Sequence, residues 1–195
     1  LASVICIVIG LLVGLIILYC INSETALDGF SRILKGGFYL KPKGIGNVLA
    51  QTAPLIMTGL SVAFAFKTGL FNIGAAGQYT LGAFGALYFA LVLKMPWFVC
   101  LLAATVFGAL WGMIPGIFKA YLNVNEVITS IMFNWIGLYA VNEIIYKGVV
   151  GEMYDLKSAK TYSIRSKSPA SLIPDMGLND MFRTKSTTIA IFIAI

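Results

Sequence analysis

Apolar runs broken by two longer polar connections set the pattern of the chain. Residues 1–21 carry no charge and are long enough to cross a hydrocarbon core that needs about 20 apolar residues. Residues 44–66 are again uncharged, 72–93 and 97–118 follow in close succession, and 127–146 make a fifth run. A sixth begins at Thr187 and runs to Ile195. The pattern predicts an all-α, polytopic integral membrane helix bundle, a single transmembrane domain over 1–195 with about five to six transmembrane helices. The connections are expected at 22–43 and 148–186. In the first, Leu27, Phe30 and Leu34 recur at helical spacing before Gly36-Gly37 and Pro42, which predicts an amphipathic helix lying at the interface. The second is rich in Ser, Lys and Pro and reads as an exposed loop.

The polar positions inside the apolar runs carry more information than the runs themselves. From Phe66 to Gly82 the only charge is Lys67, followed by Asn72, Gln78 and the glycines Gly69, Gly74 and Gly77. At membrane depth, polar groups and glycine-interrupted backbone are tolerated where they face protein or a water-filled cavity. The stretch is therefore expected to turn at Lys67 and re-enter as a glycine-rich broken or re-entrant helix. Asn47, Gln51, Thr58 and Ser61 share one face of the second run, and Pro54 in its middle frees a backbone carbonyl and predicts a kink. Ala104, Gly108, Gly112, Gly116 and Ala120 are spaced four apart, a ridge of small residues on which another helix can pack closely. Glu126, Ser130 and Asn134 line one face of the fifth run, and Glu143 and Lys147 form an i,i+4 pair at its end.

Composition confirms the class: 59% of residues are hydrophobic and 11% charged, against about 25% charged in soluble domains. The net charge of +6 sits mostly in the two connections and points to lipid headgroups, not to nucleic acid. Cys6, Cys20 and Cys100 stand alone in apolar runs and histidine is absent, so neither a disulfide framework nor a metal site is expected. No phosphate-cradling G-x-x-x-x-G-K-[ST], HExxH or GxSxG occurs, and Glu126 and Glu143 are about a helix length apart. An enzyme lacks its nucleophile, base and metal, so no catalytic residue is expected. The remaining groups are neutral hydrogen-bonders: Gln51, Asn72, Gln78, Tyr79 and Asn134. They suit a polar, uncharged solute passing through a protein-lined cavity; the alternative for each is an interhelical hydrogen bond. Leu1 is not an initiator and the apolar run at 187–195 breaks off, so the chain is expected to be a fragment.

Pro54 through Phe66, followed by Gly69-Leu70-Phe71-Asn72-Ile73-Gly74-Ala75-Ala76-Gly77-Gln78, resembles the signature of permease subunits of nucleoside ABC importers. These belong to the larger family that also serves simple sugars and branched-chain amino acids. Pro115 to Tyr121 and then Val124 to Asn134 are similar to a second landmark of the same branch, in the same order. Ala75-Ala76 departs from the acidic or polar residues usual between those glycines. The resemblance implies a subunit that pairs with a second related permease, docks a cytoplasmic ABC ATPase that binds ATP and Mg, and receives solute from a substrate-binding lipoprotein. It implies no cofactor in this chain, a place in the bacterial plasma membrane, and alternating access for a nucleoside of the purine type. Within it, Gly69, Gly74, Gly77 and Pro54 are the expected hinge or close-packing positions. Family members carry a cytoplasmic coupling helix beyond the span starting at Thr187, so this fragment alone is not expected to couple to an ATPase. The family places both long connections outside, whereas the count of Lys and Arg favours the reverse; the coupling helix must meet ATP inside, which decides for the family orientation. A simple-sugar permease is the alternative, and a structural or receptor-like membrane subunit the second.

Overall fold

The computed structural model describes residues 2–147, 153–184, 188–190 and 192. The chain divides into two units, Leu1–Gln51 with Asp175–Thr188, and Thr52–Pro174 with Ile189–Ile195. Among the described residues, four helices are long and apolar enough to cross a membrane: α1 (Ala2–Ile21), α3 (Lys43–Lys67), α5 (Trp97–Leu122) and α6 (Glu126–Tyr146). Between them lie the short α2 (Ala26–Lys35) and α4 (Ala75–Leu91). With 17 residues, α4 is about 26 Å long, at the lower limit for a span. The sixth run expected at 187–195 falls largely outside the described residues.

In the first unit, α1 is apolar all round and none of its residues is buried, as suits a helix whose surface meets lipid. The expected amphipathic helix is α2. Asp28 and Arg32 pair at 2.7 Å on its polar side, while Leu27 and Leu34 remain exposed. Exposed leucines beside a charged face fit a helix lying in the headgroup layer. Its end is fixed by Gly36, whose φ of +49° strains any other L residue.

The second unit is built around α4, which packs against both α5 and α6. Lipid is as apolar as leucine, so such helices associate through close packing and hydrogen bonds. Glycines supply the first. A Cβ built on Gly77 would stand 2.9 Å from Asn134 Cα of α6, and one on Gly82 3.0 Å from the Ala104 carbonyl of α5. On Gly85 it would meet the Phe107 ring at 2.8 Å, and on Gly137 of α6 it would meet Leu81 at 2.9 Å and Trp111 Nε1 at 3.0 Å. Trp111 Nε1 in turn donates to the Phe133 carbonyl at 3.2 Å, tying α5 to α6. The turn between these helices is set locally. Asn123 takes the left-handed conformation that ends α5, and the Asn125 side chain caps α6 by accepting from the Val127 and Ile128 N–H groups.

Ordinary α-helix begins at Ala75, so the irregular segment is 68–74; Gly77 lies within regular helix as a contact point. The 153–174 segment is more structured than an exposed loop. It holds a two-stranded antiparallel ribbon, β1 (Tyr154–Asp155) with β2 (Lys160–Thr161), and Met153 is fully buried. Ser168 and Ser171 are buried, their hydroxyls 2.7 Å apart, and the Ser171 hydroxyl donates to the Met95 carbonyl in the α4–α5 connection.

Gly77→Ala forces a methyl against helix backbone, where neither side can yield cheaply. It is expected to cost about 1–3 kcal/mol and lower the Tm of the detergent-purified protein. Gly10→Ala on α1, where a Cβ meets nothing within 4 Å, is expected to leave Tm unchanged. Thermal unfolding of the pair checks this; equal Tm values would contradict the packing described.

Candidate functional site: two cavities beside α4

Among the described residues of the second unit, two cavities are lined jointly by residues of α3, α4 and α5. The larger of the two, of about 540 Å³, is lined by Ser61 and Ala65 of α3, Thr68 and Asn72 of the irregular segment, Gln78 of α4, Gly108, Gly112, Gly116 and Lys119 of α5, and Glu126 and Ser130 of α6, among others. The local fold explains how Asn72 comes to face Gln78. The Asn72 side chain accepts from Gly74 N–H at 3.0 Å, bending the chain into α4, and its Nδ2 donates to Gln78 Oε1 at 3.4 Å. Gly69, at φ +77°, supplies the left-handed residue that lets the chain leave α3. Gln78 lies across Gly112: a Cβ there would come within 2.7 Å of its Nε2.

Among the described residues, charge in this cavity is confined to one pair. Lys119 Nζ lies 2.9 Å from Glu126 Oε2, with side chains 38% and 22% exposed. Two opposite charges in contact leave the lining close to neutral, and the carboxamides of Asn72 and Gln78 offer donors and acceptors without a fixed charge. Among the described residues no group of His, Cys, Asp and Glu is arranged to hold a metal.

The remaining sequence-derived positions are placed as follows. Tyr79 is exposed and lines the second cavity, of about 480 Å³, with Pro54 and Met57. Asn134 lines neither; its Oδ1 is buried without a hydrogen-bond partner at the α4–α6 contact, 3.1 Å from where a Gly77 Cβ would stand. Gln51 belongs to the first unit, exposed on a separate groove with Arg32 and Asn47. The ridge on α5 divides in use. Ala104 and Gly108 approach Gly82, and Gly112 receives Gln78, whereas Gly116 meets nothing within 4 Å and opens on the larger cavity, and Ala120 is exposed. Sequence reasoning missed the Lys119–Glu126 pair and the reciprocal glycines Gly82, Gly85 and Gly137. Gly82 and Gly85 follow Gln78 at helical spacing, a signal that was present in the chain.

Residues 44–195 match the family described as the permease component of the branched-chain amino acid transport system. The chain belongs to this permease family. It is 39% identical over 149 residues, 74% of its length, to the guanosine ABC transporter permease protein NupP of Bacillus subtilis. Identity to the nucleoside ABC transporter permease protein NupB of Lactococcus lactis is 39% over 146 residues, 71% of the chain. To the glucose ABC transporter permease protein TsgB13 of Haloferax volcanii it is 42% over 97 residues, 48% of the chain and 26% of the relative. The chain covers 42% of the first relative's length and 39% of the second's. No solved structure matches it.

Removing one member of the Lys119–Glu126 pair strands a partly buried charge, which costs more than removing both. Lys119→Met is expected to lower Tm more than Lys119→Met with Glu126→Gln. A double-mutant cycle on thermal unfolding measures the difference; additive losses would mean that the pair does not interact.

Proposed function

We propose that this chain is the permease part of an ATP-driven importer of nucleosides, of the purine type, in a bacterial plasma membrane. The observation that carries the reading is the 39% identity to permeases named for guanosine and nucleosides, over most of this chain. The chemistry of the larger cavity agrees with it: paired Lys119 and Glu126 leave no net charge, and Asn72 and Gln78 present carboxamides to a solute that must shed water. Asn72, Gln78 and Tyr79 are the pathway residues proposed from the cavities. Asn134 and Gln51 are retained from the sequence reading alone. The solute crosses by alternating access. Energy comes from a partner ATPase that binds ATP and Mg, a second related permease completes the path, and a substrate-binding lipoprotein delivers the solute. The segment 68–74 and Gly69 give α3 and α4 an irregular joint at which to shift. A simple-sugar permease is the second reading, favoured by the glucose permease similarity, which covers a smaller share of the chain.

Uptake of labelled purine and pyrimidine nucleosides, ribose and galactose by cells carrying the complete transport system tests this. Saturable, ATP-dependent nucleoside uptake that disappears when this subunit is deleted is the expected result. Sugar uptake without a nucleoside signal would move the chain to the sugar branch, and uptake of neither would overturn the transport reading.

A further inference from the structure

The two cavities lie end to end. On α3 the smaller is lined by Ala53, Pro54 and Met57 and the larger by Ser61, Phe64 and Ala65. On α5 the smaller takes Leu101, Ala104 and Thr105, and the larger continues from Gly108 to Lys119. Leu101 and Lys119 are about 27 Å apart along a helix, close to the ~30 Å thickness of a hydrocarbon core. The two linings share one residue, Gln78.

We propose that Gln78 is the internal gate of this pathway and the residue that selects its solute. Three features support the role. Its side chain lies across Gly112, where any larger residue would displace it, so a movable side chain fills the near end of the larger cavity, beyond the backbone approach of α4 to Gly108. Its Oε1 is held by Asn72 Nδ2 at 3.4 Å, a long bond that is cheap to break. The carboxamide carries a donor and an acceptor side by side. That pair complements the adjacent donor and acceptor on a nucleobase edge, such as the amino group and N7 of adenine or N1–H and O6 of guanine. A base arriving from the smaller cavity can take over the Asn72 bond, release Gln78 from Gly112 and open the larger cavity. The choice of nucleobase as ligand rests on the nucleoside-permease reading; the partition does not.

The test labels single cysteines with a membrane-impermeant maleimide in a background with Cys6, Cys20 and Cys100 changed to serine. With Gln78 intact, Met57→Cys and Ser61→Cys are expected to label from opposite sides of the membrane. Gln78→Ala is expected to make Ser61→Cys reactive from the Met57 side. Gly112→Ala, which displaces the amide without removing it, is expected to do the same at unchanged membrane abundance. Labelling of both cysteines from one side with Gln78 intact, or no change in either variant, would overturn the gate. Selectivity is read separately: Gln78→Leu is expected to raise the KM for adenosine about tenfold relative to purine riboside, which lacks the amino group. An unchanged KM ratio would overturn the selecting role. Labelling of the two cysteines from opposite sides, lost in Gln78→Ala, without nucleoside uptake in the unsubstituted protein would support the gate while removing the nucleoside reading.

Discussion

The second unit depends on the approach of α4 to two neighbours at backbone distance. In lipid there is no water to expel from between helices, so contact area and hydrogen bonds must hold them. Gly77, Gly82, Gly85 and Gly137 remove the side chains that would keep the axes apart, and in each case the neighbouring atom is backbone or a packed side chain. The Trp111–Phe133 hydrogen bond then ties α5 to α6 beside the same Gly137 contact. Substitution at these glycines acts on the whole three-helix arrangement, because both α5 and α6 pack against α4.

That arrangement also creates the site. Close packing of α4 to α5 stops at Gly108, and beyond it Gly112 and Gly116 leave room that Gln78 only partly fills. The segment 68–74 leaves helix just where Asn72 can reach Gln78, so the backbone irregularity and the polar cavity have one origin. Non-helical backbone at membrane depth is tolerated when it borders such a cavity. Buried Met153, Ser168 and Ser171 anchor the 153–174 segment, and the Ser171–Met95 hydrogen bond keeps it close to the α4–α5 turn.

Much of this was legible in the sequence because membrane helices announce themselves through length and the absence of charge. The starts of α1, α3, α5 and α6 follow the apolar runs to within one residue, and α2 follows Leu27, Phe30 and Leu34. The α5 ridge was visible as a spacing of four, but spacing does not say where a partner helix ends, and so Gly116 was grouped with residues that are in contact. Asn134 looked like Gln78 on polarity alone; which of them faces a cavity depends on rotation about the helix axis, which only the packing of α4 fixes. The Lys119–Glu126 pair required knowing that Asn123-Val124-Asn125 makes a tight turn. The Ser171–Met95 contact joins residues 76 positions apart and left no local trace.

Cross-linking of α4 to α5 inside the membrane bears most directly on the central claim, that these helices meet at backbone distance through glycine. A Cβ on either Gly82 or Gly108 stands 4.0 Å from the Cα of the other, within the reach of a disulfide. With the native cysteines changed to serine, Gly82→Cys with Gly108→Cys is predicted to cross-link once the Ala104 carbonyl yields by a few tenths of an ångström, read after cleavage engineered into the 92–96 connection. Gly82→Cys with Gly116→Cys, two helical turns further along α5, is predicted to remain reduced. Failure of the first pair, or equal cross-linking of both, would contradict the account.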